Sequence, residues 1–255
     1  MSDTRPDLTR RLAAEAIGTA ALVAVVVGSG IMGQRLSPDD VGLQLLYNSL
    51  ATVFGLATLI LVFGPTSGAH FNPVVSAADW ALGRLAGGGR TAGALTGAEV
   101  GLYSVAQVAG GVAGAVVANL MFEVPVTELS TTDRSAPNLW LSEVVATVGL
   151  VTLIFVLART GRGALSAPAV GVYIGAAYWF TSSTSFANPA VTVGRVFSDT
   201  FAGIEPGSVP AFLVCQVLGA ALAVGLVHWL PPQLGAPGDR SLEDVVVPPT
   251  RTRDS

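Results

Sequence analysis

Two tripeptides in this chain unite a helix cap with a helix start: Asn72-Pro73-Val74 and Asn188-Pro189-Ala190. Asn is a good N-cap, and Pro suits the first helical turn because its missing N–H would be unpaired there anyway. Each motif follows a Gly- or Ser-rich turn and opens a short apolar piece, Asn72 to Leu82 and Asn188 to Phe197. About ten residues are too few to cross a bilayer, which needs about 20. The pieces therefore read as re-entrant half-helices, one from each side of a membrane. Their N-termini would meet at midplane, each carrying about half a positive charge. Asn72 and Asn188 would cap those ends and still offer an amide donor to a lumen. Such a field repels cations and attracts polar oxygens. The irregular backbone before each Asn is tolerable at that depth only where it lines a cavity or packs in protein. An ordinary loop-to-helix start is the bland reading of either motif alone; their pairing favours the pore.

The rest of the chain supplies what such a site needs. Of 255 residues, 51% are hydrophobic and only 12% charged, against about 25% charged in soluble domains. Mean hydropathy is +0.62. This excludes a large soluble domain, a disordered chain and a nucleic-acid binder. One Cys (Cys215) and two His (His70, His228) exclude a disulfide framework and leave little for a metal site. No metal and no cofactor is expected. Six apolar stretches qualify as spans: Leu12 to Met32, Val41 to Phe63, Ala98 to Phe122, Leu139 to Ala158, Pro168 to Phe180, and Val209 to Leu230. The fifth is the shortest, with a start as early as Ala164. A twin-arginine signal at Arg10-Arg11 is set aside, because the following stretch is long and further spans succeed it. With the N-terminus inside, Arg5, Arg10, Arg11, Arg84, Arg90, Arg159, Arg162, Arg240, Arg251 and Arg253 are cytoplasmic, and only Arg35, Arg134 and Arg195 lie outside. That asymmetry follows the positive-inside rule and places both termini in the cytoplasm.

The two halves of the chain repeat one another. Ala14-Glu15-Ala16-Ile17-Gly18-Thr19 matches Ser142-Glu143-Val144-Val145-Ala146-Thr147, and Ala106-Gln107-Val108-Ala109-Gly110 matches Cys215-Gln216-Val217-Leu218-Gly219. The two Asn-Pro motifs fall between them in the same order. Three spans per half is odd, so the second half sits upside down relative to the first. The expected fold is an all-α membrane protein with six transmembrane helices plus two re-entrant half-helices in an inverted 3+3 repeat. Residues 1–11 form a cytoplasmic tail. Residues 12–230 form the channel domain, with repeats at about 12–122 and 139–230. Residues 231–255 form a mobile cytoplasmic tail. The pairs Gly97/Gly101, Gly110/Gly114 and Gly171/Gly175 offer close helix crossings, or reflect only how common Gly is in membrane helices.

Ser67-Gly68-Ala69-His70-Phe71-Asn72-Pro73-Val74 and Phe186-Ala187-Asn188-Pro189-Ala190 resemble the paired Asn-Pro-Ala signatures of the aquaporin (major intrinsic protein) family. The resemblance spans about residues 10 to 230, with Val74 in place of the first motif's Ala. It implies the half-helix barrier established for aquaporin-type pores, and a homotetramer with one pore per subunit. Glu15 and Glu143 lie inside spans, where a bare carboxylate costs several kcal/mol. They read either as proton or ion carriers or as acceptors for N–H groups of the re-entrant loops. Their equivalence and the resemblance favour the second. His70 is expected to hold loop geometry near the cytoplasmic side, with gating by protonation as the alternative. His228 is expected at the interface, and Cys215 as a small packer.

In water-selective relatives the outer constriction has an aromatic, a His, a small loop residue and an Arg. By spacing these positions fall here on Thr52, Ala176, Ser185 and Val191, with Phe54 an alternative to Thr52. The Arg is absent, so the constriction should be wider and less polar. Arg195, seven residues after Asn188, either reaches back to the outer vestibule or snorkels at the interface; Asp79 is its counterpart at the cytoplasmic mouth. The runs around Val191 and Phe197 to Ile204 are similar to bacterial aquaporin-like channels associated with arsenic resistance. The resemblance implies passive movement of small neutral solutes across the plasma membrane, foremost arsenite as trihydroxyarsenic, with glycerol and water beside it. A general glycerol and water channel, or an ion-coupled inverted-repeat transporter, are the alternatives. No enzymatic Ser/His pair or ligand cluster stands out.

Overall fold

The computed structural model describes residues 6–85, 93–126 and 128–230. The expected tail at 231–255 lies outside the described residues, as do the first five residues. Helices α1 (Leu8–Leu36), α2 (Val41–Ser67), α3 (Pro73–Leu85), α4 (Gly97–Met121), α5 (Pro137–Arg159), α6 (Ser166–Phe180), α7 (Pro189–Gly194) and α8 (Val209–Trp229) follow in order. Among the described residues there is no strand. Five helices, α1, α2, α4, α5 and α8, are long and apolar enough to cross a membrane. The sixth, α6, has 15 residues and is extended at its start by a 3₁₀ turn, Gly163–Leu165. This is the stretch whose length was marginal in the sequence, and it begins close to the early start at Ala164.

Local signals set the ends. Asp7 caps α1 and Asp40 caps α2, each accepting a backbone N–H three residues on. Thr96 and Glu99 form a reciprocal capping box at α4, which satisfies two donors that the helix itself cannot. Pro137 opens α5.

The two repeats pack alike. α1 lies against α4 and α2, and α5 against α8 and α6; α2 and α6 meet between the halves, while α3 and α7 each touch both α4 and α8. Gly110 and Gly114 sit where α4 crosses the carbonyls of Ala16 and Ala20 on α1. The matching Gly219 of α8 faces the Val144 carbonyl of α5, which a Cβ would approach to 2.8 Å. Both crossings are closer than any side chain would allow. Gly171 and Gly175 face Val53 of α2. Gly97/Gly101 makes no such crossing: a Cβ at Gly101 would meet nothing within 4 Å.

Candidate functional site

The loops before the two half-helices share one unusual backbone. Ala69 and Phe71 have φ of 49° and 49°, and Ser185 and Ala187 have φ of 52° and 47°. Non-glycine residues enter this left-handed region at a cost of about 1–2 kcal/mol each. It turns successive N–H groups to one side, and on that side stands a carboxylate. Glu15 accepts from the Ser67 hydroxyl at 2.6 Å, the His70 N–H at 3.0 Å, the Phe71 N–H at 2.6 Å and Gln107 Nε2 at 2.8 Å. Glu143 accepts from the Ser183 hydroxyl at 2.7 Å, the Phe186 N–H at 2.9 Å, the Ala187 N–H at 2.8 Å and Gln216 Nε2 at 2.7 Å. Both carboxylates are fully buried. Four donors per carboxylate compensate much of the burial penalty. Neither Glu15 nor Glu143 lines the cavity, so the geometry is that of a loop support.

Past these loops the two half-helix N-termini meet. Asn72 Oδ1 accepts from the Val74 N–H at 3.1 Å, and Asn188 Oδ1 from the Ala190 N–H at 2.9 Å. The amide nitrogens reach across: Asn72 Nδ2 donates to the Ala187 carbonyl at 2.8 Å, and Asn188 Nδ2 to the Phe71 carbonyl at 2.7 Å. The two halves are thus stitched together at their caps. Each amide has a second N–H, and both side chains line the cavity. Of the six motif residues expected to line the pore, only the two Asn do: Pro73 and Pro189 open their helices, and Val74 and Ala190 are buried in the core instead, because a helix turns them away from the cavity that Asn72 and Asn188 face.

The cavity, of about 60 Å³, runs along this junction. Its wall is built of equivalent residues from the two repeats: Leu22 with Leu150, Val26 with Ile154, Leu56 with Ile174, Val75 with Val191. The wall is apolar, and polar groups enter it at few points: Asn72, Asn188, His70, Thr52, Ser185, Tyr178 and Arg195. His70 holds its loop by the backbone bond to Glu15, while its Nδ1 lies 3.1 Å from Ser76 Oγ. His228 is exposed in the last turn of α8, and Cys215 is half-buried on α8 away from the cavity.

At the mouth nearer the α1–α2 turn, Thr52, Ser185 and Val191 line the cavity and are buried. Phe54 is 67% exposed on the far side of α2, so α2 presents Thr52. Ala176 does not belong to this group. It is exposed on the outer surface of α6, and the cavity is lined instead by Val170, Ile174 and Tyr178. Two residues along a helix are a rotation of about 200°, which carries a side chain to the opposite face. The sequence did hold a signal: Val170, Ile174 and Tyr178 recur every fourth residue, as Thr52, Leu56 and Ile60 do on α2. The Tyr178 and Thr52 hydroxyls are 3.1 Å apart.

Arg195 is buried at 2% exposure and lines the cavity. The α-helix ends at Gly194, and a 3₁₀ turn, Arg195–Phe197, begins there. Its Nε donates to the Ala202 carbonyl, and its guanidinium lies 3.5 Å from the Phe186 ring centre. Asp79, the counterpart in α3, does not line the cavity; it accepts the Leu95 N–H at 2.7 Å.

Membrane-length helices in two inverted halves around facing half-helices define a channel protein with a narrow, mostly apolar pore. The chain belongs to the major intrinsic protein family, whose model matches residues 3–186. Aquaglyceroporin AqpS of Rhizobium meliloti is 50% identical over 224 residues, which cover 88% of this chain and 91% of that protein. Aquaporin AqpM of Methanothermobacter marburgensis is 29% identical, with 88% and 98% covered. The crystal structure of the aquaglyceroporin from Plasmodium falciparum shares the fold, with a TM-score of 0.64 over 88% of this chain and 97% of that one at 19% identity. Membership makes the protein an integral membrane channel, not an enzyme.

Proposed function

We propose that the protein is a passive pore for small neutral solutes with several hydroxyl groups, arsenite as trihydroxyarsenic foremost, with glycerol and water also passing. The observation that carries this reading is Val191. One turn into the second half-helix, beside Thr52 and Ser185, an aliphatic residue stands where water-selective relatives carry an arginine. The side chain at that position adds neither charge nor a hydrogen-bond donor to the mouth. The half-helix N-termini disfavour cations, and the aliphatic wall disfavours any ion that must shed its water. A solute with hydroxyls can trade water for Asn72, Asn188 and Ser185 along one stripe while its other side slides on Leu22, Leu56 and Ile174.

The name and 50% identity of the Rhizobium meliloti relative favour glycerol and water as the general cargo. In this reading Thr52, Ser185 and Val191 form the selectivity filter, with Tyr178 where Ala176 was expected. Glu15, Glu143 and His70 support the loops, and Arg195 belongs to the outer vestibule. The channel works as a homotetramer in the plasma membrane, with both termini cytoplasmic. Neither Glu15 nor Glu143 is placed as an ion carrier, because both are saturated by hydrogen bonds away from the cavity.

The test is As(III) influx into proteoliposomes, with glycerol influx in the same vesicles. Gradient-driven As(III) influx faster than glycerol is expected. Fast glycerol influx with As(III) at the background rate would make the protein a polyol pore and reject arsenite.

A further inference from the structure

The mouth that holds Val191 also gathers two arginines, Arg195 and Arg134, against one carboxylate near enough to act on both, Glu143. Arg195 lies 3.5 Å and Arg134 4.9 Å, guanidinium carbon to ring centre, from the same Phe186 ring. Among the described residues neither arginine has a carboxylate within ion-pair distance. Each spends its Nε on a backbone carbonyl, Arg195 on Ala202 and Arg134 on Gly203, which leaves the outer guanidinium nitrogens for other partners. The acids nearby are engaged elsewhere: Asp199 holds Thr131, Asp133 holds Ser135 and Ser208, and Glu143 is saturated by its four donors. A second, independent feature lines the same cavity. Ser185 is 4% exposed and lines the cavity, and its hydroxyl has no hydrogen-bond partner among the described residues. Two arginines against one carboxylate leave an excess positive charge, and a buried excess charge and a buried hydroxyl without a partner are both costly. One ligand with two acceptor oxygens and a negative charge would satisfy both.

The geometry points to a binding site for a small, singly charged oxyanion at this mouth, held by Arg195 and Ser185 with Arg134 adding charge. Formate, bicarbonate and nitrate share the required chemistry: planar, monoanionic, with oxygens about the width of a guanidinium fork. The aliphatic wall beyond offers no replacement for the anion's water, so the anion stops at the mouth and obstructs neutral solutes. The anion is thus a ligand that competes with the cargo, whichever neutral solute that cargo is.

The probe is formate, observed by saturation transfer from the purified full-length protein to the single formate proton. Saturable transfer that nitrate displaces and gluconate does not is expected in the wild type. Ser185→Ala should weaken it about ten-fold or more, the loss expected for one hydrogen bond to a charged acceptor. Arg195→Gln should abolish it, and Arg134→Gln should weaken it. Ser185→Ala and Arg134→Gln leave the Ala202 contact intact and carry the test if Arg195→Gln fails to fold. In proteoliposomes, nitrate in place of gluconate at constant ionic strength should reduce neutral-solute permeability at least two-fold in the wild type and not in Ser185→Ala. No transfer in folded wild type, or equal transfer in all three variants, overturns the proposal. The binding readout does not depend on flux, so failure of the channel reading and failure of this site are distinguishable.

Discussion

The two half-helices are near copies in their support and unlike in their outer turns. Up to the Asn caps, the first and second loops match residue for residue: the same left-handed backbone, the same carboxylate with four donors, the same amide reaching across. Beyond the caps they diverge. α3 continues for 13 residues, and Asp79 turns to hold the Leu95 backbone. α7 stops after six, and its 3₁₀ extension keeps Arg195 in the cavity. One mouth carries His70 on Ser76; the other carries Ser185, Val191, Tyr178 and Arg195. In the proposed reading the matched part builds the barrier that both directions share. The unmatched part is where a preference among neutral solutes can be set. A symmetric scaffold with an asymmetric lining separates stability from selectivity within one small molecule.

This comparison can be broken first at its matched core. Glu15→Gln and Glu143→Gln each place an N–H₂ among four donors, leaving at least one buried donor unsatisfied at about 1–3 kcal/mol. Both should lower the detergent-stable yield strongly and to a similar extent, read by size-exclusion chromatography. A normal yield with lost flux would mean that the carboxylate acts in transport. Asn72→Ala and Asn188→Ala should each lose a helix cap, about 1 kcal/mol, together with one cross-bond. They should lower the melting temperature alike, and a large difference between them would break the symmetry at the caps. At the unmatched mouth, Val191→Arg should cut influx of arsenite and glycerol about ten-fold or more while sparing water. The smallest effect belongs to Ala176→Leu, on the exposed face of α6: flux ratios should stay within two-fold, whereas Tyr178→Phe should change them.

Much of this was legible in the sequence because the chain states it twice. Glu15 and Glu143, Gln107 and Gln216, Asn72 and Asn188 recur in order, and burial of a carboxylate demands donors wherever it occurs. The reciprocal stitch between the halves was not legible. Its partners are 115 and 117 residues apart, and a cap residue reveals its own helix but not the carbonyl its other atom meets. Ala176 was misplaced because it was set by counting from the motifs rather than by the four-residue recurrence of Val170, Ile174 and Tyr178, which marks the inward face of α6. The rotation of α6 about its own axis follows from Gly171 and Gly175 packing on Val53 of α2. The inward path of Arg195 depended on α7 ending at Gly194, and helix ends are the least determined part of a sequence pattern. Residue type alone left both interface and vestibule open.

The most direct measurement uses mirror substitutions at the paired wall positions. Val75 and Val191 line equivalent places in the two halves. Permeabilities to water, glycerol and As(III) would be measured by stopped-flow light scattering and arsenic uptake in proteoliposomes of Val75→Phe and Val191→Phe. If the second mouth sets selectivity, Val191→Phe depresses glycerol and As(III) far more than water, while Val75→Phe depresses all three in proportion. Equal changes in the solute ratios from both substitutions would contradict the account, because selectivity would then belong to the shared barrier rather than to one mouth.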